Sequence, residues 1–371
     1  MARAPRQADI AAAAGVSQTT VSLILSGNTD GMRLSESTRQ RVLKAAEKLG
    51  YVPDPVATRL ASARNHMIGV YTFASAFPTD VDGFYYPILV GIEEEAAALG
   101  QDLVLFTGTG GLEAGLDDKT AIRRTADGKA AIRRTADDKA AIRRTADDKA
   151  AIRRTRIADG CLFFGRHVPE EPIDWLLGSG FPLVYIGRRD ELDGRIPFVG
   201  VDYVAASAAV VDRLVSAGHR EIRYLRSVDD ALSSSDRERG VLAAAKSARL
   251  SERLVVRAAD SEVGGLVERW REEGVTAVVV EETDTGTLSA ALLEAVKGVR
   301  VPGELSVAVL GQPKDHPEVS GFEVPRRELG RRAVRVLVDQ ITSSGARRPE
   351  QVLLDCTPIT GSTIGPVAPS A

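Results

Sequence analysis

The chain has 371 residues, of which 44% are hydrophobic and 27% charged, a composition typical of a globular protein with two or three domains. It contains neither a run of roughly 20 apolar residues nor the apolar core of a signal peptide, so we expect a cytoplasmic protein with no membrane partner. The net charge is −3, but residues 1–65 carry nine Lys or Arg and five Asp or Glu, a net of +4 that suggests a polyanionic partner for this basic segment.

Residues 7–25 predict two short helices joined by a tight turn, which Gly15 permits. The apolar residues of both helices recur at helical spacing: Ile10, Ala11, Ala14, Val21, Ile24 and Leu25. Ser17 can cap the second helix, which we expect to run from Gln18 to about Leu25. Gln18, Thr19 and Ser22 then face outward, as a helix presented to the major groove of DNA requires.

Two further features separate this segment from an ordinary Ala-rich helical hairpin. Ser35 can cap a third helix, which spans Glu36 to Leu49 and ends at Gly50. Its predicted packing stripe comprises Val42, Leu43, Ala46 and Leu49. Residues 51–62, YVPDPVATRLAS, then form a Pro-punctuated linker leading into a helix too short to be stable alone.

With these features, residues 8–62 resemble the headpiece of the lactose-repressor/galactose-repressor (LacI/GalR) family. The matching segments are DIAAAAGVSQTTVSLIL, STRQRVLKAAEKLGYVP and VATRLAS. The resemblance implies a helix-turn-helix headpiece at 1–53 and a hinge at 54–65, followed by a core at 66–365. In that family the hinge helix forms in the minor groove when it pairs with that of a dimer mate on a near-palindromic operator.

The DNA-contacting positions implied by the resemblance are Ser17, Gln18, Thr19, Ser22, Leu23, Arg59 and Leu60. Gln can bond adenine through two hydrogen bonds, while Thr and Leu can touch a thymine methyl group. Leu60 becomes the apolar wedge that opens a base step, with a plain packing leucine as the alternative. Leu23 departs from the family, which usually carries Arg there, so an Arg-to-guanine contact is missing.

From Met67 onward, apolar runs of β type alternate with helical patterns, which predicts parallel sheets covered by helices. The predicted strands are residues 67–73, 102–107, 161–164, 182–187, 221–226, 277–282 and 305–310. Helical patterns include residues 86–100 and 204–218.

Residues 66–371 carry no recognisable catalytic signature. No phosphate-binding loop and no Ser/His/Asp or metal-ligand grouping occurs around the four histidines, His66, His167, His219 and His316. Cys161 and Cys356 stand alone, without metal-type spacing. We therefore predict no enzyme activity, no cofactor and no metal site.

Residues 66–365 resemble the core domain of the same family. That core domain is similar to a periplasmic sugar-binding protein. The matching segments are FYYPILVGIEEEA, RIADGCLFFG, VGVDYVAA, AGHREI, DRERGVLAA and VPGELSVAV. The resemblance implies two lobes joined by three crossings, closing on a small-molecule effector. We expect one lobe to contain about 66–188 plus 312–345 and the other about 189–311 plus 346–365.

Family positions that touch effectors map to Phe84, Tyr85, Arg188, Asp202, Arg237 and Asp284, and a surface salt bridge is the alternative for each charged one. Two positions depart from the sugar-binding relatives. Gly311-Gln312-Pro313 stands where they carry Asp, and Thr283 stands where they carry Asn. Because carboxylates and amides hold sugar hydroxyls, these changes weaken the case for a sugar but leave the pocket.

Residues 121–160 contain a tandem decapeptide, AIRRTADGKA, AIRRTADDKA, AIRRTADDKA and AIRRTRIADG. Such near-identity favours duplication of the encoding DNA, so residues 121–150 are interpreted as an insertion at the start of a core helix. The array can form one solvated helix, or each Thr-Ala-Asp can start a new short helix through a capping box.

The predicted fold is thus an all-α headpiece followed by an α/β, two-lobed, periplasmic-binding-protein-like core. The predicted function is that of a homodimeric, nucleoid-associated transcriptional repressor, whose affinity for double-stranded DNA changes when a small molecule, such as a sugar, binds the core. The alternatives are a small-molecule sensor that no longer reads an operator and an enzyme built on the α/β core. Intact helix caps disfavour the first alternative, and the missing catalytic signature disfavours the second.

Overall fold

The computed structural model describes residues 5–26, 35–51, 64–72, 83–106, 152–165, 170–313, 315–343 and 348–367. The chain forms two compact units, divided between His66 and Met67. Residues 52–63, which include Arg59 and Leu60 of the predicted hinge, lie outside the described residues. His167 and the decapeptide copies of residues 121–150 lie outside them as well.

The first unit contains three helices: α1 (Gln7–Ala14), α2 (Gln18–Ser26) and α3 (Glu36–Leu49). Their shared core consists of Ile10, Ala11, Ala14, Val21, Ile24, Val42 and Ala46. The predicted stripe on α3 is only half right, because Leu43 and Leu49 are 39% and 38% exposed. Leu43 is turned by about 100° from Val42 around the helix, and Leu49 is the last helical residue, so the small bundle covers neither.

In the described ranges, no single helix has both the length and the apolar character needed to cross a membrane. Only the bent pair Gln7–Ala14 and Gln18–Leu25 meets that test by length and composition, when its two helices are counted together.

The second unit alternates strands and helices. Its strands are β1 (Met67–Thr72), β2 (Asp102–Phe106), β3 (Gly160–Phe164), β4 (Leu183–Ile186), β5 (Phe198–Val201), β6 (Ile222–Arg226), β7 (Val255–Arg257), β8 (Ala277–Glu281), β9 (Ser306–Leu310), β10 (Ser320–Glu323), β11 (Gln351–Leu354) and β12 (Thr357–Ile359). Its helices are α4 (Tyr86–Ala98), α5 (Glu170–Gly178), α6 (Tyr203–Ser216), α7 (Leu232–Ser247), α8 (Val263–Glu272), α9 (Thr287–Ala295) and α10 (Arg326–Thr342). Short 3₁₀ turns span Thr155–Ile157, Leu192–Gly194, Glu252–Leu254 and Asp260–Glu262.

These strands form two six-stranded sheets among the described residues, with the orders β11-β5-β4-β3-β1-β2 and β12-β10-β9-β8-β6-β7. Every pair is parallel except β10 with β12. The two-lobed α/β fold is therefore confirmed, and each predicted strand is present with its ends shifted by at most one residue.

The pairing corrects the expected lobe boundaries. Strand β5 pairs with β4 and β11, so residues 198–201 and 351–354 belong to the first lobe rather than the second. Strand β10 pairs with β9, so residues 320–323 belong to the second lobe rather than the first. The chain consequently crosses between the lobes after β5, after β10 and between β11 and β12. A boundary near residue 188 fails because the short strand β5 must complete the first sheet before the chain can leave it.

Helices α4 and α10 pack closely against each other because a glycine of each helix faces the backbone of the other. A Cβ atom at Gly91 would lie 2.0 Å from the carbonyl oxygen of Arg327, and one at Gly330 would lie 2.2 Å from that of Ile88. Arginines of α10 bond glutamates of α4: Arg335 donates from Nε and from Nη2 to the Glu95 carboxylate, each at 2.8 Å.

In the second lobe, the chain after β12 is bound to the sheet by a buried imidazole. The His219 side chain is 1% exposed, its Nε2 lies 3.0 Å from the Gly365 carbonyl oxygen, and its Nδ1 lies 2.9 Å from the Thr276 hydroxyl. Burial lowers the pKa of His219 below its ordinary value of 6.5. The ring therefore acts as a neutral structural link.

Candidate functional site

Helix α2 of the first unit is held by a cap at one end and by apolar side chains beneath it. Gly15 ends α1 in the left-handed conformation, at φ 66°, which costs a glycine little. The Ser17 hydroxyl accepts a hydrogen bond from the Thr20 amide at 3.1 Å, while Val21 and Ile24 are buried. Ser17, as predicted, is therefore the cap of this helix.

Of the three α2 residues predicted to face outward, Gln18 and Thr19 are exposed and Ser22 is only partly so. Ser17, Gln18 and Thr19 are exposed, whereas Ser22 and Leu23 are half-buried. The first turn of α2 therefore offers an amide and a hydroxyl to solvent from a rigid support.

The second unit contains a cleft where the carboxyl ends of the two sheets meet. A first cavity, of about 110 Å³, is lined by residues of both lobes. Five of the six predicted effector residues line it: Phe84, Tyr85, Arg188, Arg237 and Asp284. Ligands bind at this edge of open α/β sheets, so the location suits a small-molecule site.

Asp202, the sixth predicted residue, is not part of the lining. Its carboxylate accepts a hydrogen bond from the Ala205 amide at 2.9 Å and caps α6. The neighbouring Val201 and Tyr203 line the cavity instead. The cap gives a hydrogen-bond partner to an amide of the first helical turn, which has none within the helix. A resemblance to effector-contacting positions does not reveal this local role.

Aromatic rings form one wall of the first cavity. Phe84 and Tyr85 make an edge-to-face pair with ring centres 5.3 Å apart, and Tyr85 stacks on Phe164 at the same distance. On the other lobe, the Arg237 guanidinium lies 3.8 Å from the centre of the Tyr203 ring. Burial raises the pKa of Tyr203, so its hydroxyl stays neutral and can hydrogen-bond a ligand.

Arg237 is itself fixed in place by backbone groups. It is 4% exposed and donates from Nε to the Leu310 carbonyl at 3.1 Å and from Nη1 to the Ser233 carbonyl at 3.2 Å. Glu281 lies 3.9 Å from Nη1. The guanidinium is thus a rigid, charge-compensated group at the cavity wall.

Arg188 joins the lobes directly. It follows β4 of the first lobe and donates to the Asp236 carboxylate of α7 in the second, from Nε at 2.5 Å and from Nη2 at 2.7 Å. Asp236 is 2% exposed. The hydrogen bonds between Arg188 and Asp236 raise the pKa of Arg188. Residues 188 and 236 are both cavity residues, so a ligand that enters must accommodate this ion pair.

A second and larger cavity, of about 560 Å³, adjoins the first and is lined by α9, by the loop after β9 and by the start of α10. Five residues line both cavities: Phe84, Arg237, Glu282, Thr283 and Asp284. The two cavities therefore form one cleft with a shared wall.

Sequence reasoning missed three acidic cavity residues, Asp236, Glu281 and Glu282. The signal for the last two was the pair of glutamates that ends the buried strand pattern AVVVEE, since carboxyl ends of parallel strands face the ligand site. Asp236 precedes Arg237 on α7 and gave no such signal. Within the described ranges, no three His, Cys, Asp or Glu side chains are grouped as a metal site requires.

Two parts of the chain match described protein families. Residues 8–54 match "Bacterial regulatory proteins, lacI family", and residues 211–364 match "Periplasmic binding protein-like domain".

Two similar proteins align along most of the chain. The HTH-type transcriptional regulator CelR of Thermobifida fusca is 25% identical over 95% of this chain and 96% of its own. Catabolite control protein A of Priestia megaterium is 23% identical over 93% and 96%.

Solved structures confirm the fold. The lac repressor dimer bound to operator and the anti-inducer ONPF superposes with a TM-score of 0.68 at 17% identity, covering 98% of this chain and all of that one. A CelR-cellobiose complex superposes with a TM-score of 0.58 at 22% identity, covering 97% and 99%.

Proposed function

Because this chain belongs to the lacI family of bacterial regulatory proteins, we propose that it is a transcriptional repressor that binds a near-palindromic DNA operator as a homodimer. A small molecule held between the lobes modulates operator affinity. The proposed location is the cytoplasm, in association with the nucleoid. Neither DNA binding nor effector binding requires a catalytic step.

The observation that supports this function most is the exposed first turn of α2. Gln18 and Thr19 project from a helix whose cap and apolar anchors hold it rigid. Gln can pair with adenine through two hydrogen bonds in the major groove, and the Thr methyl can contact thymine. Ser17, Ser22 and Leu23 complete the proposed DNA surface.

Arg59 and Leu60 extend the proposed interface into the minor groove. Arg supplies phosphate or groove contacts, and Leu is an apolar wedge that separates base pairs and bends the duplex. These two roles are proposed from the sequence resemblance.

The proposed effector site is the cleft between the lobes. Phe84, Tyr85, Arg188, Arg237 and Asp284 belong to its lining, and Asp202 supports it indirectly as the cap of α6. A ligand that touches both lobes favours the closed arrangement by its differential contacts, which is how it can change the affinity of the DNA-binding surface. The effector class is proposed to be a sugar, as in the cellobiose complex of the similar regulator.

The experiment that tests the DNA-reading role uses an operator selected from random duplexes by the full-length protein. Gln18→Ala should weaken operator binding by about 1–3 kcal/mol, or roughly 5- to 150-fold, because one bidentate base contact is lost. Binding to random DNA should stay unchanged, since phosphate contacts carry it.

Gln40→Ala is the matched control, because Gln40 is an exposed glutamine on α3 that bonds Glu36 at 3.1 Å. It should leave both affinities intact. Equal losses on operator and random DNA in Gln18→Ala would refute base reading by this residue.

A further inference from the structure

The last copy of the decapeptide is built into the first lobe. Residues 152–154 are helical and continue through a 3₁₀ turn into β3. Ile152 is fully buried in an apolar cluster with residues of α5 and of the first sheet, among them Ile173 and Leu183. A cavity of about 120 Å³ beside it is lined by this segment and by α5. The segment therefore fills a groove between α5 and the sheet.

Three side chains of the segment hold it in this groove. Besides Ile152, Thr155 is fully buried, and its hydroxyl donates a hydrogen bond to the Ile152 carbonyl oxygen at 2.6 Å. Because this bond lies within the segment, every copy of the segment brings it along. The Arg153 guanidinium lies 5.6 Å from the ring centre of Trp175 on α5, within the range of a cation–π contact. Trp175 is 40% exposed, so this contact covers the groove at the surface.

A second arginine on the same ring belongs to the lobe rather than to the repeat. Arg156 lies 5.8 Å from the Trp175 ring centre, whereas the corresponding position of the first three copies is alanine. The repeated part of the anchor therefore ends at Thr155. Its sequence is Ala-Ile-Arg-Arg-Thr, and the contacts come from Ile at the second position, Arg at the third and Thr at the fifth.

The same five residues occur three more times upstream, at residues 121–125, 131–135 and 141–145. Each upstream copy has the Ile, Arg and Thr at the same spacing, so each can make the same contacts with the groove as residues 151–155. When an upstream copy fills the groove, the residues between it and Arg156 have to form a loop. The entropic cost of closing a loop grows slowly with its length. The upstream copies are therefore nearly equivalent, and the last copy is favoured because it needs no added loop.

We propose that this groove of the first lobe is a binding site for Ala-Ile-Arg-Arg-Thr segments, and that the three upstream copies exchange with residues 151–155 within one chain. The filled groove anchors the chain just before β3, a central strand of the first sheet. The array thus supplies equivalent anchors, and displacement of one copy leaves the lobe packed by another.

The test compares two full-length chains, one with the natural array and one in which Ile122→Asp, Ile132→Asp and Ile142→Asp disable the upstream copies. Ile152→Asp is then introduced into each. An unpaired carboxylate in an apolar cluster strongly destabilises a protein. With the disabled array, Ile152→Asp should lower the melting temperature by at least about 8 °C or prevent folding. With the natural array, an upstream copy takes the groove, and the fall should be less than half as large.

Equal falls in the two chains would overturn the proposal. Ile173→Asp is the matched control, because it places the same charge in the same buried cluster, at a residue of α5 outside the repeat. It should lower the melting temperature equally with either array. The three array substitutions alone should leave the melting temperature of the wild-type chain unchanged, because residues 151–155 still fill the groove.

Ile152→Ala repeats the comparison with a change that the fold tolerates better. Truncating a buried side chain leaves a cavity, which destabilises the lobe without adding a charge. The chain with the disabled array should again lose more in melting temperature, because only the natural array can refill the groove with another isoleucine. Equal losses would overturn the proposal even if the aspartate variant fails to fold in both chains.

Sedimentation at several protein concentrations separates exchange within one chain from exchange between chains. A groove filled by a second molecule is a domain swap, and its products grow with protein concentration. The Ile152→Asp variant with the natural array should keep the oligomeric state of the wild type and the same melting temperature at every concentration. Larger oligomers that accompany the rescue and increase with concentration would overturn exchange within one chain.

Discussion

The ion pair between Arg188 and Asp236 should be the strongest single polar link between the lobes. Asp236→Ala removes both hydrogen bonds and leaves Arg188, 15% exposed, with the exposed Asp190 as its one remaining carboxylate partner among the described residues. Breaking a buried pair by removing one partner costs about 3–5 kcal/mol. Since Asp190 remains, we expect the free energy of unfolding to fall by about 3 kcal/mol, the lower end of that range.

Arg239→Ala is the matched control. Arg239 also pairs with Asp236, but its side chain is 57% exposed, and such pairs contribute about 0–1 kcal/mol. Denaturation by urea of the full-length variants should therefore separate the two changes. At roughly 2 °C per kcal/mol for a unit of this size, Asp236→Ala should lower the melting temperature by about 6 °C.

A double-mutant cycle with Arg188→Met isolates the pair itself. We expect a coupling energy of about 2–3 kcal/mol, since the residues are in direct contact. A coupling energy below about 0.5 kcal/mol, or equal costs for Asp236→Ala and Arg239→Ala, would show that the pair does not hold the lobes together.

Three further predictions concern stability and the repeat. Because the folded chain favours neutral His219, the stabilising effect of this residue is complete above pH 6.5 and is lost as the pH falls below that value. His219→Gln should therefore lower the melting temperature at pH 7.5 and make the melting temperature decline less steeply towards pH 5. Parallel curves of melting temperature against pH for the variant and the wild type would contradict this. Gly91→Ala should destabilise by about 1–3 kcal/mol through overpacking, whereas Gly264→Ala, with open space around it on α8, should stabilise by up to about 1 kcal/mol; equal effects in urea denaturation would refute the packing argument. Deleting residues 121–150 should preserve the melting temperature and operator affinity, and loss of either would mean that the array belongs to the working interface.

The elements that could be predicted from the sequence carry local signals. The cap at Ser35 and the stop at Gly50 fix α3 to the residue, and strands buried on both faces appear as continuous apolar runs. Five strands were missed. Strands β7, β11 and β12 lie at sheet edges and are half-exposed, so they lack such runs, whereas β5 and β10 are mostly buried but only four residues long.

The candidate effector site, too, could be predicted only where the sequence carries a recognisable pattern. Phe84 and Arg237 could be placed because the family pattern surrounds them. The bond between Arg188 and Asp236 joins residues 48 positions apart in different lobes, and no local pattern encodes it. Asp202 was misplaced because a helix cap and a ligand contact demand the same kind of side chain.

The last decapeptide of the array has consequences for how the gene can vary. In residues 152–155, Ile152 and Thr155 are fully buried, the Thr155 hydroxyl donates to the Ile152 carbonyl at 2.6 Å, and Arg153 lies 5.6 Å from the Trp175 ring centre. Unequal recombination that adds or removes one copy regenerates the same Ala-Ile-Arg-Arg-Thr at this anchoring position. The core then meets identical side chains whatever the copy number, so strains can differ in length here by multiples of ten residues without a compensating change in the lobe.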